Sequence, residues 1–131
     1  MRIMLDTNIL ISASLYEQSN ISFMVEYIAD NHYLVLCDVI INEVKDVYKR
    51  KFPSKIKNID LFLTKFPYEL VYAPTYLSDV PDIRDSSDKP ILASAIIEDI
   101  DILITGDKDF SEIEIKHPQI LTPSQFTKQY M

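Results

Sequence analysis

Four carboxylates stand out by position rather than by number. Asp6 follows the short apolar run Arg2–Leu5, and Asp107 follows Ile102–Thr105 with Gly106 between. Each is placed at the carboxyl end of an expected strand, the edge where open parallel α/β sheets build their sites. Glu43 and Asp88 fall early on expected helices. Glu43 stands four residues after Val39 and three after Ile40, on the side of the core stripe. Asp88 precedes Ile91, Leu92, Ala95 and Ile96 at helical spacing, with Asp85 three residues upstream. Gathered in one place, such groups repel: at 4 Å a like-charged pair costs about 1 kcal/mol in water and ~4 kcal/mol at an effective dielectric of 20. A cation removes that cost, and an all-carboxylate oxygen set suits Mg²⁺ or Mn²⁺. Zinc suits it poorly, because His32 and His117 have no partners at ligand spacing and take no assigned role.

Each acid also has a plain structural use. Asp6 can cap the helix it precedes, Asp88 can complement a helix dipole, Glu43 can pair with a nearby lysine, and Asp107 and Asp109 are ordinary turn residues. The set is harder to explain that way than any single member.

The elements that would position these acids alternate. Strands are expected at Arg2–Leu5, Tyr33–Cys37, Leu70–Ala73, Ile102–Thr105 and Ile120–Leu121. Helices are expected at Asn8–Tyr16, Ser22–Ala29, from an Asp38 N-cap to Arg50, after Pro53 with Ile56, Ile59, Leu63 and Phe66 on one stripe, from Ser87 or Asp88 to Glu98, and after Thr122. Pro90 is tolerable in a first turn. Thr122-Pro123-Ser124-Gln125 carries the signature of a capping box with proline at the first helical position. Pro81–Ser87 reads as an acidic loop. Strands separated by helices imply an α/β fold, a parallel sheet of about four to five strands covered on both faces in three layers, α/β/α. Tyr16, Phe23, Tyr27, Phe62 and Phe66 are expected chiefly in the core, with a dimer seam or a groove for an amphipathic partner helix as the other use.

Composition sets the outer bounds. The chain has 131 residues, suited to one domain, and 47% of them are hydrophobic, enough for a packed interior. One cysteine, Cys37, excludes a disulfide framework and a cysteine zinc site. One glycine, Gly106, excludes a glycine-rich phosphate loop. No apolar run approaches the ~18 residues of a membrane span. Asp6 interrupts the first apolar stretch, so no secretory signal is expected and a cytoplasmic protein is. With 13 Lys and Arg against 20 Asp and Glu, the net charge of −7 argues against a passive nucleic-acid binder but not against a metal-using enzyme. Ser12, Ser86 and Ser87 have no histidine base at a recognisable spacing, which argues against serine catalysis.

Met4-Leu5-Asp6-Thr7-Asn8-Ile9-Leu10, Ile40-Ile41-Asn42-Glu43-Val44, Arg84-Asp85-Ser86-Ser87-Asp88-Lys89-Pro90-Ile91-Leu92 and Ile104-Thr105-Gly106-Asp107-Lys108-Asp109-Phe110 together resemble, in order, the four motifs of the PIN-domain family. The closing Ile120-Leu121-Thr122-Pro123-Ser124-Gln125-Phe126 is similar to the end of a prokaryotic subgroup described as toxins of toxin–antitoxin modules. The resemblance implies a single PIN-like, Rossmann-like nuclease domain over residues 1–131. It implies an acidic quartet of Asp6, Glu43, Asp88 and Asp107 that binds Mg²⁺ or Mn²⁺ and hydrolyses single-stranded RNA, with either Glu43 or Asp107 orienting water. Asn8 matches the residue that steadies the first Asp, Thr105 the hydroxyl residue before the fourth acid, and Asp85 and Asp109 further acids of the subgroup. A cognate antitoxin and a homodimer are implied as partners. Arg84, Lys89 and Lys108 are the cations near the quartet. Lys45, Lys49, Arg50 and Lys51 form either a solvated helix face or an RNA-guiding strip.

Two other readings compete. A phosphatase of the haloacid dehalogenase type also places an Asp after its first strand, but it needs a second Asp where this chain has Asn8. The alternative without catalysis is a degenerate PIN-like partner-binding module.

Overall fold

The computed structural model describes residues 1–74 and 89–131. Five strands, β1 (Arg2–Leu5), β2 (Tyr33–Cys37), β3 (Glu69–Val71), β4 (Ile102–Ile104) and β5 (Gln119–Leu121), form one all-parallel sheet in the order β3-β2-β1-β4-β5. Among the described residues the helices are α1 (Thr7–Leu15), α2 (Asn20–Asn31), α3 (Asp38–Lys51), α4 (Ile56–Lys65), α5 (Lys89–Ile97), α6 (Lys108–Ser111) and α7 (Pro123–Tyr130). They cover the sheet on both faces, giving the three-layer α/β/α fold. None is long and apolar enough to cross a membrane.

The strands that read as unbroken apolar runs are those buried on both faces, as a covered parallel sheet requires. Ile3, Met4, Leu5, Leu103 and Ile104 are fully buried, and so is Val35. At the periphery, Leu70 and Tyr33 remain exposed. α3 buries Ile40, Val44 and Tyr48, a stripe at 3.6-residue spacing. The Tyr48 hydroxyl meets Ser14 Oγ of α1 at 2.5 Å, so a polar bond joins two helices inside the apolar layer. Of the aromatic residues expected in the core, Phe62 is buried and Tyr27 and Phe66 are half-buried, but Tyr16 and Phe23 are largely exposed.

Some expectations shift. Asp38 does not cap α3. Cys37 holds the extended N-cap conformation, and the Asp38 carboxylate accepts from the Ala73 N–H at 2.9 Å, tying β2 to the exit of β3. α6 has no counterpart among the expected elements; it forms because Asp107 caps it and the fully buried Phe110 anchors it. The capping box of Thr122 and Gln125 forms as expected. The acidic loop Pro81–Ser87 and the first residues of the third motif lie outside the described residues.

The connectivity fixes where a site can lie. From β1 the chain moves to β2 and β3 on one side, then crosses to β4 and β5 on the other. The order reverses between β1 and β4, and the crevice beyond their carboxyl ends is the switch point where such sheets bind ligands.

Candidate active site

The register pairs Leu5 with Ile104, so the next residues outward, Asp6 and Thr105, stand side by side at the mouth of that crevice. The Asp6 N–H continues the ladder to the Ile104 carbonyl at 3.0 Å. Asp6 is 5% exposed and Thr105 2%. The Asp6 carboxylate caps α1. One oxygen accepts from the Thr7 N–H at 2.7 Å, and the other accepts from the Thr105 hydroxyl at 2.7 Å.

Thr105 works in two directions. Its oxygen also accepts the Asp107 N–H at 3.0 Å, and Asp107 in turn accepts the Asp109 N–H at 2.9 Å as the cap of α6. A continuous chain of hydrogen bonds therefore runs from Asp6 through Thr105 to the Asp107 turn. Burial pushes the Asp6 carboxyl above its ordinary value; the bonds from Thr105 and Thr7 oppose that shift, and the nearby charge of Asp107 adds to it. The Thr7 hydroxyl beside Asp6 is buried with no partner among the described residues.

The other expected site residues divide. Glu43 is exposed rather than turned into the core. At 100° per residue it lies about 60° from Ile40, on the border of a stripe centred on Ile40, Val44 and Tyr48. Asn8 is exposed as well, and the hydrogen bonds that hold Asp6 come from Thr7 and Thr105. Asp109 is half-buried and acts on the site through its backbone; Lys89 is half-buried at the start of α5, and Lys108 is exposed beside Asp107. Asp85, Asp88 and Arg84 lie outside the described residues. Among the described residues, no three acids, histidines or cysteines come together as a metal-holding group. The expected capping of the first helix by Asp6 forms, through the Thr7 N–H. Sequence reasoning missed α6, for which an Asp-Lys-Asp-Phe run, a cap followed by an anchor, was the available signal.

Lys49, Arg50 and Lys51 occupy the last turn of α3. The helix starts at the carboxyl edge and runs 14 residues. At 1.5 Å per residue that end lies roughly 20 Å from the start, so these three cations serve the helix C-terminus and do not line the crevice.

A profile of the PIN domain matches residues 2–109. A search among curated proteins found no match. Among solved structures, a chain in the crystal structure of VapBC2 from Rickettsia felis bound to a DNA fragment from their promoter shares the fold at a TM-score of 0.73. Sequence identity to it is 22%, over 92% of this chain and 97% of that one. The family match runs from β1 to Asp109 and takes in Asp6, Glu43, Thr105 and Asp107: the chain belongs to the PIN-domain family.

Proposed function

We propose that this protein is a metal-dependent endoribonuclease that hydrolyses phosphodiester bonds of single-stranded RNA, built as one nuclease domain over residues 1–131. The observation that carries the reading is the buried Asp6 carboxylate, fixed by two hydrogen bonds and further destabilised as an anion by Asp107. Capping α1 needs only one of these bonds and no second acid beside it, and a perturbed carboxylate at a topological switch point is what a hydrolytic site uses.

The donor chemistry fits a hard divalent ion. Mg²⁺ binds through one or two carboxylates together with water and substrate phosphates. Asp6 and Asp107 provide two, and Asp88 and Glu43 complete the proposed set. When bound, Mg²⁺ or Mn²⁺ supplies positive charge that offsets the negative charge gathering on the phosphoryl group under attack. The chain's own residues do the positioning. Thr105 holds Asp6 in one orientation while fixing the backbone of Asp107. Asp109 and Asn8 stand in support, Glu43 or Asp107 orients the attacking water, and Arg84, Lys89 and Lys108 meet the RNA backbone.

The test is Mn²⁺-dependent cleavage of single-stranded RNA by the wild type and by Asp6→Asn. Loss of cleavage in the variant with its fold retained supports the site; equal cleavage removes it. Calorimetric titration with Mn²⁺ separates this reading from a degenerate binding module, which need not bind the ion.

The resemblance of the four motifs to the PIN-domain family and of the closing Ile120–Phe126 to toxins of toxin–antitoxin modules, with the fold shared with a chain of the VapBC2 structure, supports a toxin held by a cognate antitoxin; a cytoplasmic homodimer is part of the same proposal. Co-expression with the product of a short adjacent gene, followed by co-purification and inhibition of cleavage, tests that partnership.

A further inference from the structure

On the β5 side of the acids lies a small cavity of about 60 Å³, lined by Thr105, Gly106, Asp107, Lys108, Thr122 and Gln125 over the apolar end of β5. We infer that Gln125 is a substrate contact, its side-chain amide donating a hydrogen bond to an acceptor oxygen of the nucleotide adjoining the scissile phosphate; this rests on the nuclease reading above.

The capping box fixes the amide. Gln125 Oε1 accepts the Thr122 N–H at 2.9 Å, while the Gln125 N–H donates to Thr122 Oγ1 at 3.1 Å. With Oε1 engaged, the orientation of the amide is set and Nε2 is the end left for a ligand. Nε2 has no partner among the described residues, and the side chain is exposed. A Cβ at Gly106 would meet nothing within 4 Å, so the space over the turn beside Asp107 is open.

Helix capping alone does not account for glutamine here. Glutamate closes a capping box equally well and suits the first turn of a helix better. Glutamine keeps the acceptor that the cap needs, adds two N–H donors and avoids another carboxylate beside Asp107. Such donors pair with oxygens that accept, and a single-stranded RNA offers these on its phosphates and on the carbonyls of its bases. The cavity volume is several times the ~10–15 Å³ of free space that one water needs. It takes a phosphate oxygen or the edge of a base, not a whole nucleotide.

Gln125→Glu and Gln125→Ala are compared with the wild type in Mn²⁺-supported cleavage of oligo-A and oligo-U. Glu retains the cap, so the melting temperature stays put while KM rises about tenfold and kcat stays within about twofold, in line with losing one hydrogen bond and meeting a repulsive charge. Ala removes the donor without adding charge and raises KM about threefold. A rise on both oligonucleotides assigns the acceptor to phosphate. A rise confined to oligo-U assigns it to a base carbonyl, which adenine lacks. Unchanged KM in Gln125→Glu, with an active wild type, overturns the contact and leaves the nuclease reading standing. A fall in kcat that merely tracks a fall in melting temperature shows a cap and nothing more, and also overturns it. No cleavage by the wild type, equal to that of Asp6→Asn, overturns both.

Discussion

Thr105→Val is the sharpest probe of the Asp6 arrangement, because it removes one hydroxyl and little else. That oxygen is buried and makes two bonds, donating to Asp6 Oδ2 at 2.7 Å and accepting the Asp107 N–H at 3.0 Å. A hydrogen bond to a charged group contributes about 1.5–3 kcal/mol, and an N–H left partly buried without a partner adds to the loss. Asp107 is half-buried, so water can recover some of the second bond. The sum is a loss of about 2–4 kcal/mol near neutral pH. For a chain of this length that lowers the melting temperature by roughly 10 °C. The pH dependence carries more information than the size. The folded-state pKa of Asp6 is raised, so ionised Asp6 withdraws stability as pH climbs from the unfolded value through the folded one. Thr105 is the first of the groups that oppose the shift, and its removal pushes the pKa further up. The deficit of Thr105→Val therefore shrinks as the pH falls through the raised folded-state pKa and Asp6 takes up its proton, and grows toward neutrality. Thermal melts of both proteins from pH 4 to 8 measure it, with Thr105→Ser as the variant that keeps the bond. A deficit that is flat across that range, or equally large in Thr105→Ser, would mean that the methyl packing matters and the hydroxyl bridge does not.

Asp6→Asn keeps a good N-cap while deleting the buried charge, so at neutral pH without metal it melts no lower than the wild type; Mn²⁺ raises the wild-type melting temperature but not that of the variant, and cleavage falls at least about a hundredfold. Glu43 is exposed, so Glu43→Gln leaves stability within about 0.5 kcal/mol, while RNA cleavage rates fall if it serves the site. Ser14→Ala strips the buried Tyr48 hydroxyl of its partner and costs about 1–3 kcal/mol in chemical denaturation, with Ser14→Ala/Tyr48→Phe recovering part of the loss because no orphan remains.

Local rules carried the reading of the fold a long way because they coincide with the tertiary ones in this chain. Tyr33–Cys37 is apolar without a break and is a strand covered on both faces; the strand limits are those expected. Thr122 and Gln125 needed no tertiary information to form their box, since both partners lie within one turn. Asp38 lies beyond the reach of local rules. Nothing near it in sequence reveals that Ala73, 35 residues away, will take its carboxylate. α6 is too short for periodicity to register and depends on Phe110 finding the core.

The candidate site was legible in its two strand-end acids and less so elsewhere, for a geometric reason. A residue that directly follows a buried strand has its edge of the sheet decided by chain direction alone, and Asp6 and Asp107 profit from that. A residue on a helix needs an angle as well. Glu43 sits on the border of its stripe, where a small rotation separates a core-facing acid from a solvent-facing one. Charge follows the same logic. Arg2, at the opposite edge of the sheet, is bound to Glu69 and to the Glu98 carbonyl, and the cations ending α3 are a helix length from the crevice. The net charge of −7 is therefore not offset near the described acids by those cations. If the proposed nuclease reading holds, the negative potential at Asp6 and Asp107 has to attract a divalent ion before it can tolerate a phosphodiester, and RNA binding then depends on metal concentration. RNA affinity measured for the wild type should rise with added Mn²⁺ and collapse with a chelator; affinity that is indifferent to metal would place the RNA on some other face of the molecule.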